Sequence, residues 1–133
     1  MGQHLIIPKT GDKIALVSTY GYYLATIDGI NLTQVKDKRD ECFFTVEYNG
    51  VDRICYKCTS GKYLSGKPKD GFEFVDGCSE GEMFSPHYLS TKILLKTSIN
   101  DFLCAKEDYN VIHDSIPSEA TNFIIEYVGN SLF

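Results

Sequence analysis

One apolar skeleton occurs three times in this chain, at offsets of 40 and then 39 residues. Ile14, Ile54 and Ile93 stand in register, as do Leu16, Tyr56 and Leu95. Tyr23-Leu24, Tyr63-Leu64 and Phe102-Leu103 follow, and then the aromatic pairs Phe44 and Tyr48, Phe84 and Tyr88, and Phe123 and Tyr127. A fixed period of this length is the mark of a repeat architecture, in which one unit cannot bury its apolar face alone and needs its neighbours. The 133 residues hold three such units, about 12–50, 51–90 and 91–129, within a single domain spanning 1–133.

The patterning inside each unit is that of β-strands. Residues 14–19, 54–59 and 93–98 read as first strands, with Ile14, Leu16 and Ser18 on one face and Ala15 and Val17 on the other. Lys57 and Lys96 are the counterparts of Val17, which marks that face as the outer one. A turn follows in which Gly21, Gly61 and Asn100 share one slot. These residue types tolerate a left-handed backbone, so the slot is expected to have positive φ. Second strands start at Tyr23, Tyr63 and Phe102 and close through Asp28-Gly29, through residues 67–71 and through Asp108-Tyr109-Asn110. Third strands carry Leu32, Phe72 or Phe74, and Val111. Polar loops at 36–41, 76–81 and 114–119 lead to fourth strands at 44–48, 84–88 and 123–127. In the first of these, Phe44, Val46 and Tyr48 face one side, and Thr45 and Glu47 the other. The expectation is an all-β fold of twelve strands in three pseudo-symmetric four-stranded repeats, with at most a single helical turn in a loop. Leu24, Leu64 and Leu103 should form a central core layer.

Charge and composition narrow the function. A net charge of −5 argues against a nucleic-acid or heparin binder. No apolar run reaches the length of a membrane span, and Leu5-Ile6-Ile7 stops at Pro8, too short for a signal-peptide core. A cytoplasmic protein is expected. Its five cysteines are odd in number and lack a secreted-type spacing, so all are expected as reduced thiols. The sequon Asn31-Leu32-Thr33 would matter only after export. Cys55-Tyr56-Lys57-Cys58 falls inside a strand, with Cys58 inward and Cys55 outward, rather than at the helix start that a redox motif requires. No second cysteine pair or histidine pair completes a zinc site. His4, His87 and His113 have no evident partner set, and His87 aligns with Glu47 and Glu126 on an outer face. With no triad, nucleophile elbow or phosphate loop, a non-enzymatic protein without cofactor or metal is expected.

The remaining signal is local charge. Residues 53–70 carry Arg53, Lys57, Lys62, Lys67 and Lys69 against Asp70, a local +4, whereas 71–87 carry four acids and no lysine or arginine. Lys36, Lys38 and Arg39 form a second basic cluster. An acidic partner would be met by Lys36, Lys38, Arg39, Lys57, Lys62, Lys67 and Lys69. The competing reading is a solvated surface of alternating charges.

Three copies of about 40 residues, each with a Tyr/Phe-Leu strand start and a late Phe, resemble the β-trefoil fold over residues 14–128. Within it, Ile-x-Leu-x-Ser-Thr-x-Gly-x-Tyr-Leu at 14–24, echoed by Thr59, Gly61, Tyr63 and Leu64, is similar to the fascin and hisactophilin group. Members of that group bind or bundle actin filaments. The resemblance implies a lone trefoil that contacts filamentous actin through basic loops of the first and second repeats. It also implies an acylation candidate at Gly2, although Ile6 stands where serine or threonine favours myristoylation. Membrane contact would follow only from that acylation and would be reversible. Hisactophilins are rich in surface histidines; with three histidines this chain does not inherit their pH sensing. Bundling would need two sites or a dimer, and the oligomeric state is not written in the sequence.

Two further resemblances compete. Asp40-Glu41-Cys42-Phe43-Phe44 and the stretch from Phe102 through Asp108 are similar to parts of fibroblast growth factors, which implies an exported ligand. The heparin-binding cluster of that family is reduced here to Lys92, Lys96 and Lys106. Trefoil lectins usually carry Gln-x-Trp in each repeat. This chain has no tryptophan, so stacking on a sugar would fall to Tyr22 or Tyr109.

Overall fold

The computed structural model describes residues 7–68 and 70–128. Among these the chain forms twelve antiparallel strands and no α-helix. The first unit supplies β1 (Lys13–Ser18), β2 (Tyr23–Ala25), β3 (Thr33–Val35) and β4 (Phe44–Asn49). The second supplies β5 (Arg53–Cys58), β6 (Tyr63–Ser65), β7 (Glu73–Val75) and β8 (Ser85–Leu89). The third supplies β9 (Lys92–Lys96), β10 (Phe102–Ala105), β11 (Val111–Asp114) and β12 (Phe123–Tyr127). One 3-10 turn precedes the fourth strand of each unit, at Asp40–Cys42, Glu80–Glu82 and Glu119–Thr121. These are the single helical turns that the polar loops allow.

First and fourth strands pair with one another. β1 runs against β12 from Ile14 opposite Tyr127 to Ser18 opposite Phe123, and against β4 through Ile14 and Phe44. β4 pairs with β5, β8 with β9, and β9 with β12. Ile54 of β5 and Phe84, at the head of β8, exchange two backbone hydrogen bonds of 2.9 Å each. Followed from strand to strand, these pairings lead from β1 through β4, β5, β8, β9 and β12 back to β1. Each unit also sends out a hairpin of its second and third strands, held to its own first strand at one recurring slot. The contacts there are Val17 with Tyr23, Lys57 with Tyr63, and Lys96 with Phe102.

The inward periodicity holds except at the last aromatic of each unit, where Tyr127 is 40% exposed and Tyr48 and Tyr88 are half-buried. Leu24, Leu64 and Leu103 are fully buried, with Ile14, Leu16, Phe44, Ile54, Tyr56, Phe84, Leu95 and Phe123 around them. Phe72 and Phe74 are both in the core, although only one was required by the pattern. The turn slot is left-handed in all three copies, with φ of 82° at Gly21, 96° at Gly61 and 69° at Asn100. Each residue there donates its N–H to the last carbonyl of the preceding strand region, at Ser18, Cys58 and Thr97.

The three hairpins are tied to one another. Leu32 N donates to Phe72 O and Phe74 N to Ile30 O. Gln34 Nε2 donates to the carbonyls of Lys106 and Asn110, at 2.8 and 3.0 Å. His113 closes the third contact by donating from Nε2 to Gly71 O at 2.7 Å.

One expectation fails in part. The second face of the first strands is not solvent-facing along its length. Ala15, Cys55 and Leu94 occupy one slot and are all buried, and Val17 is 9% exposed. Alternation reports which residues share a face, but neighbouring loops and hairpins decide whether water reaches it.

Candidate binding surface

Lys36, Lys38 and Arg39 lie exposed in the loop after β3. Lys38 Nζ reaches Glu126 of β12 at 2.9 Å and stands 5.9 Å from the ring of Tyr23, whose hydroxyl donates to the same carboxylate at 3.4 Å. Lys57 builds the matching group one unit on. Its Nζ lies 3.9 Å from Glu47 of β4 and 5.7 Å from the Tyr63 ring, and Tyr63 donates to Glu47 at 3.0 Å. In the third copy the seam is occupied by Phe102 and His87, with ring centroids 6.3 Å apart in an edge-on arrangement. The hydrogen bond to Glu126 raises the pKa of Lys38, and the bond to Glu47 raises that of Tyr63.

The lysines at these seams are therefore locally neutralised. Such half-exposed pairs add little to stability, but they also occupy charge that a partner would use. Lys36, Arg39 and exposed Lys67 form no ion pair among the described residues, nor does half-buried Lys62 in the β5–β6 turn. The Lys67 stem lies against Gly81, where an added Cβ would come within 3.0 Å of it, and its charge helps to lower the pKa of Glu82. Lys38 and Lys57 belong to two different seams. Lys69 and Gly2 lie outside the described residues, as does His4.

The cysteines require a correction. Cys55 is bonded to Cys78, 23 residues away, which ties β5 to the loop ahead of Glu80–Glu82. Cys42, Cys58 and Cys104 are free and buried. Cys58 faces the core as its strand position requires. The spacing concealed the bond because strand and loop meet only in the folded unit, where the two Cα atoms are 6.3 Å apart.

His113 also departs from expectation, because it has a full partner set. Its Nδ1 is 2.8 Å from Asp101 Oδ1, its Nε2 bonds Gly71 O, and its ring stacks on Phe72 at 4.2 Å. Thr97 Oγ1 donates to the same Asp101 oxygen at 2.6 Å. His113 is a structural cross-link between the second and third hairpins. His87 is exposed, as its strand position implied.

A polar cleft of about 660 Å³ is lined by Asp52, Arg53, Glu80, His87 and Lys96, among others. Its mixed charges favour no one sign of ligand. No group of three or more His, Cys, Asp or Glu among the described residues is placed to hold a metal. No helix among them is long and apolar enough to cross a membrane.

Three tyrosines from two units gather on one surface. Tyr22 and Tyr109, from different units, stack with centroids 4.6 Å apart and an interplanar angle of 25°. Tyr20 adds a third ring 6.3 Å from Tyr22. The signal was available as the appearance of Tyr20, Tyr22 and Tyr109 at turn slots where the other repeats carry other residues. No protein-family model matches this chain, and no curated protein matches it in sequence.

Proposed function

We propose that the chain is a single β-trefoil domain and a non-enzymatic cytoplasmic binding module. In this reading it meets an acidic partner through Lys36, Arg39, Lys62 and Lys67, and filamentous actin is the partner its sequence resemblance implies. The strand circuit of first and fourth strands, with one interlinked hairpin per unit, supports the trefoil reading. The functional reading is carried by one observation: these four cations form no ion pair among the described residues, while Lys38 and Lys57 are engaged by Glu126 and Glu47. On a chain of net charge −5, lysine and arginine without an ion pair are the groups that can attract an acidic surface. Acylation of Gly2 would add a reversible membrane contact.

Co-sedimentation with filamentous actin across a salt series tests this reading. Saturable pelleting that weakens with salt is expected, as is a loss of binding in Lys62→Glu/Lys67→Glu. Lys57→Ala should bind nearly as well as the parent chain. No pelleting at low salt overturns the actin reading.

The Cys55–Cys78 bond favours a second reading, an exported ligand of the growth-factor type, because disulfides persist mainly in oxidising compartments. Recovery of the protein from the medium of intact cells would favour it. Strict retention, with all five cysteines open to alkylation after denaturation, would remove it.

A further inference from the structure

We infer that Tyr20, Tyr22 and Tyr109 form a docking site for an arginine-bearing basic segment of a protein partner. The site selects the opposite charge from the partner that the basic loops would meet.

The first ground is backbone strain. Tyr109 has φ of 77°. A left-handed backbone is a genuine outlier for a bulky side chain, whereas glycine adopts it freely. The corresponding hairpin turn of the first unit places Gly29 in this conformation, at φ 78°. The turn needs a residue that bends this way, and the third unit bends a tyrosine instead. Strain of this kind persists where a side chain is needed at that position.

The second ground is broken symmetry. The three units repeat wherever the core requires it, but the slots of Tyr20 and Tyr22 hold Ser60 and Lys62 in the second unit and Ile99 and Asp101 in the third. Tertiary folding gathers all three symmetry-breaking tyrosines into one row, although Tyr22 and Tyr109 are far apart in sequence. Tyr20 remains 39% exposed, and Tyr22 and Tyr109 are half-buried. Clustered tyrosines that remain open to solvent are characteristic of binding hot spots.

The third ground is charge, which selects the occupant. Tyr22 has its pKa raised by the hydrogen bond to Tyr109, with burial and the charges of Tyr109 and Glu107 adding to it. Glu107 is thus close enough to act on the tyrosine row. It is exposed and makes no ion pair among the described residues. Asp108 adds a second carboxylate, which also accepts from Asn110 N and Nδ2. Lys106 is the single cation of this turn, so residues 106–110 carry a net negative charge. Tyrosine faces beside carboxylates suit a guanidinium, which stacks on the ring and bonds the acid.

Isotope-edited NMR titrations with hexa-arginine, hexa-lysine and hexa-glutamate peptides and a neutral oligosaccharide test the site. Hexa-arginine should shift residues 20–22 and 107–110, and should bind more tightly than hexa-lysine. Tyr109→Gly should weaken hexa-arginine roughly tenfold while keeping the wild-type fold, whereas Tyr109→Phe should bind well. Tyr22→Ser gives an independent check at a slot that does not shape the β10–β11 hairpin. Equal binding by parent and Tyr109→Gly would reduce the effect to diffuse charge attraction and overturn the proposal. So would shifts confined to other surfaces, or a response to the oligosaccharide alone. The result does not depend on actin pelleting, so the two readings fail separately.

Discussion

Single residues in this chain are constrained to different degrees. Leu64 sits in the central layer with no solvent exposure, so Leu64→Ala removes packed atoms and leaves a cavity. A loss of about 2–5 kcal/mol is expected from urea denaturation. Gly61 is constrained by its backbone instead. An added Cβ would meet nothing within 4 Å, yet φ is 96°. Gly61→Ala should therefore cost about 1–2 kcal/mol through conformation alone, and Asn100→Gly at the matching slot should cost almost nothing. Asp28 provides a pH handle. Backbone N–H groups of Asn31 and Ile30 hold its carboxylate down to about 2, from an ordinary 3.8. Because the folded value is the lower one, its contribution is fully present above pH 3.8 and is lost as pH falls toward 2. Asp28→Asn keeps an acceptor for the turn, so it should flatten this part of the acid limb when urea midpoints are measured against pH.

At the level of elements, the recurring strand and turn positions were readable because each rule was stated three times. A lone glycine is weak evidence for a left-handed turn. Gly21, Gly61 and Asn100 in one slot are strong evidence, and all three adopt it. The Cys55–Cys78 link was not readable, because it depends on how the loop at residues 76–81 folds over the outer face of β5. Breaking it should free that loop from the strand. Cys78→Ser is expected to lose about 2–4 kcal/mol, with the closed-loop entropy of the unfolded chain as the main source. Mass spectrometry after alkylation without reductant should find three modified cysteines in the denatured parent chain, the number left free here. The lysines show the same division. Their local excess was plain in the sequence, but the engagement of Lys38 by Glu126 and of Lys57 by Glu47 depends on strands from other units.

For the whole molecule, the first and last strands matter most. β12 pairs with β1 from Ile14 to Ser18 and also meets β9, so it joins the last unit to the first. A chain ending before Phe123 exposes Ile14, Leu16 and Ile93 and leaves strand edges unpaired. Calorimetry on it should show no cooperative melt, while the full chain unfolds in one transition.

The three-fold apolar period was enough to establish twelve strands along the chain, the inward leucines and the buried Phe44, Phe84 and Phe123, and the left-handed turns at Gly21, Gly61 and Asn100. These follow from local chemistry: side chains alternate along a strand, and few residue types tolerate positive φ. Folding alone decided what lies across the gaps between units. It bonded Cys55 to Cys78, enclosed His113 between Asp101 and Gly71, paired two of the predicted lysines with glutamates, and assembled Tyr20, Tyr22 and Tyr109 into one row. Each of these depends on distances between segments far apart in sequence, and periodicity constrains such distances only through the packing of the whole core.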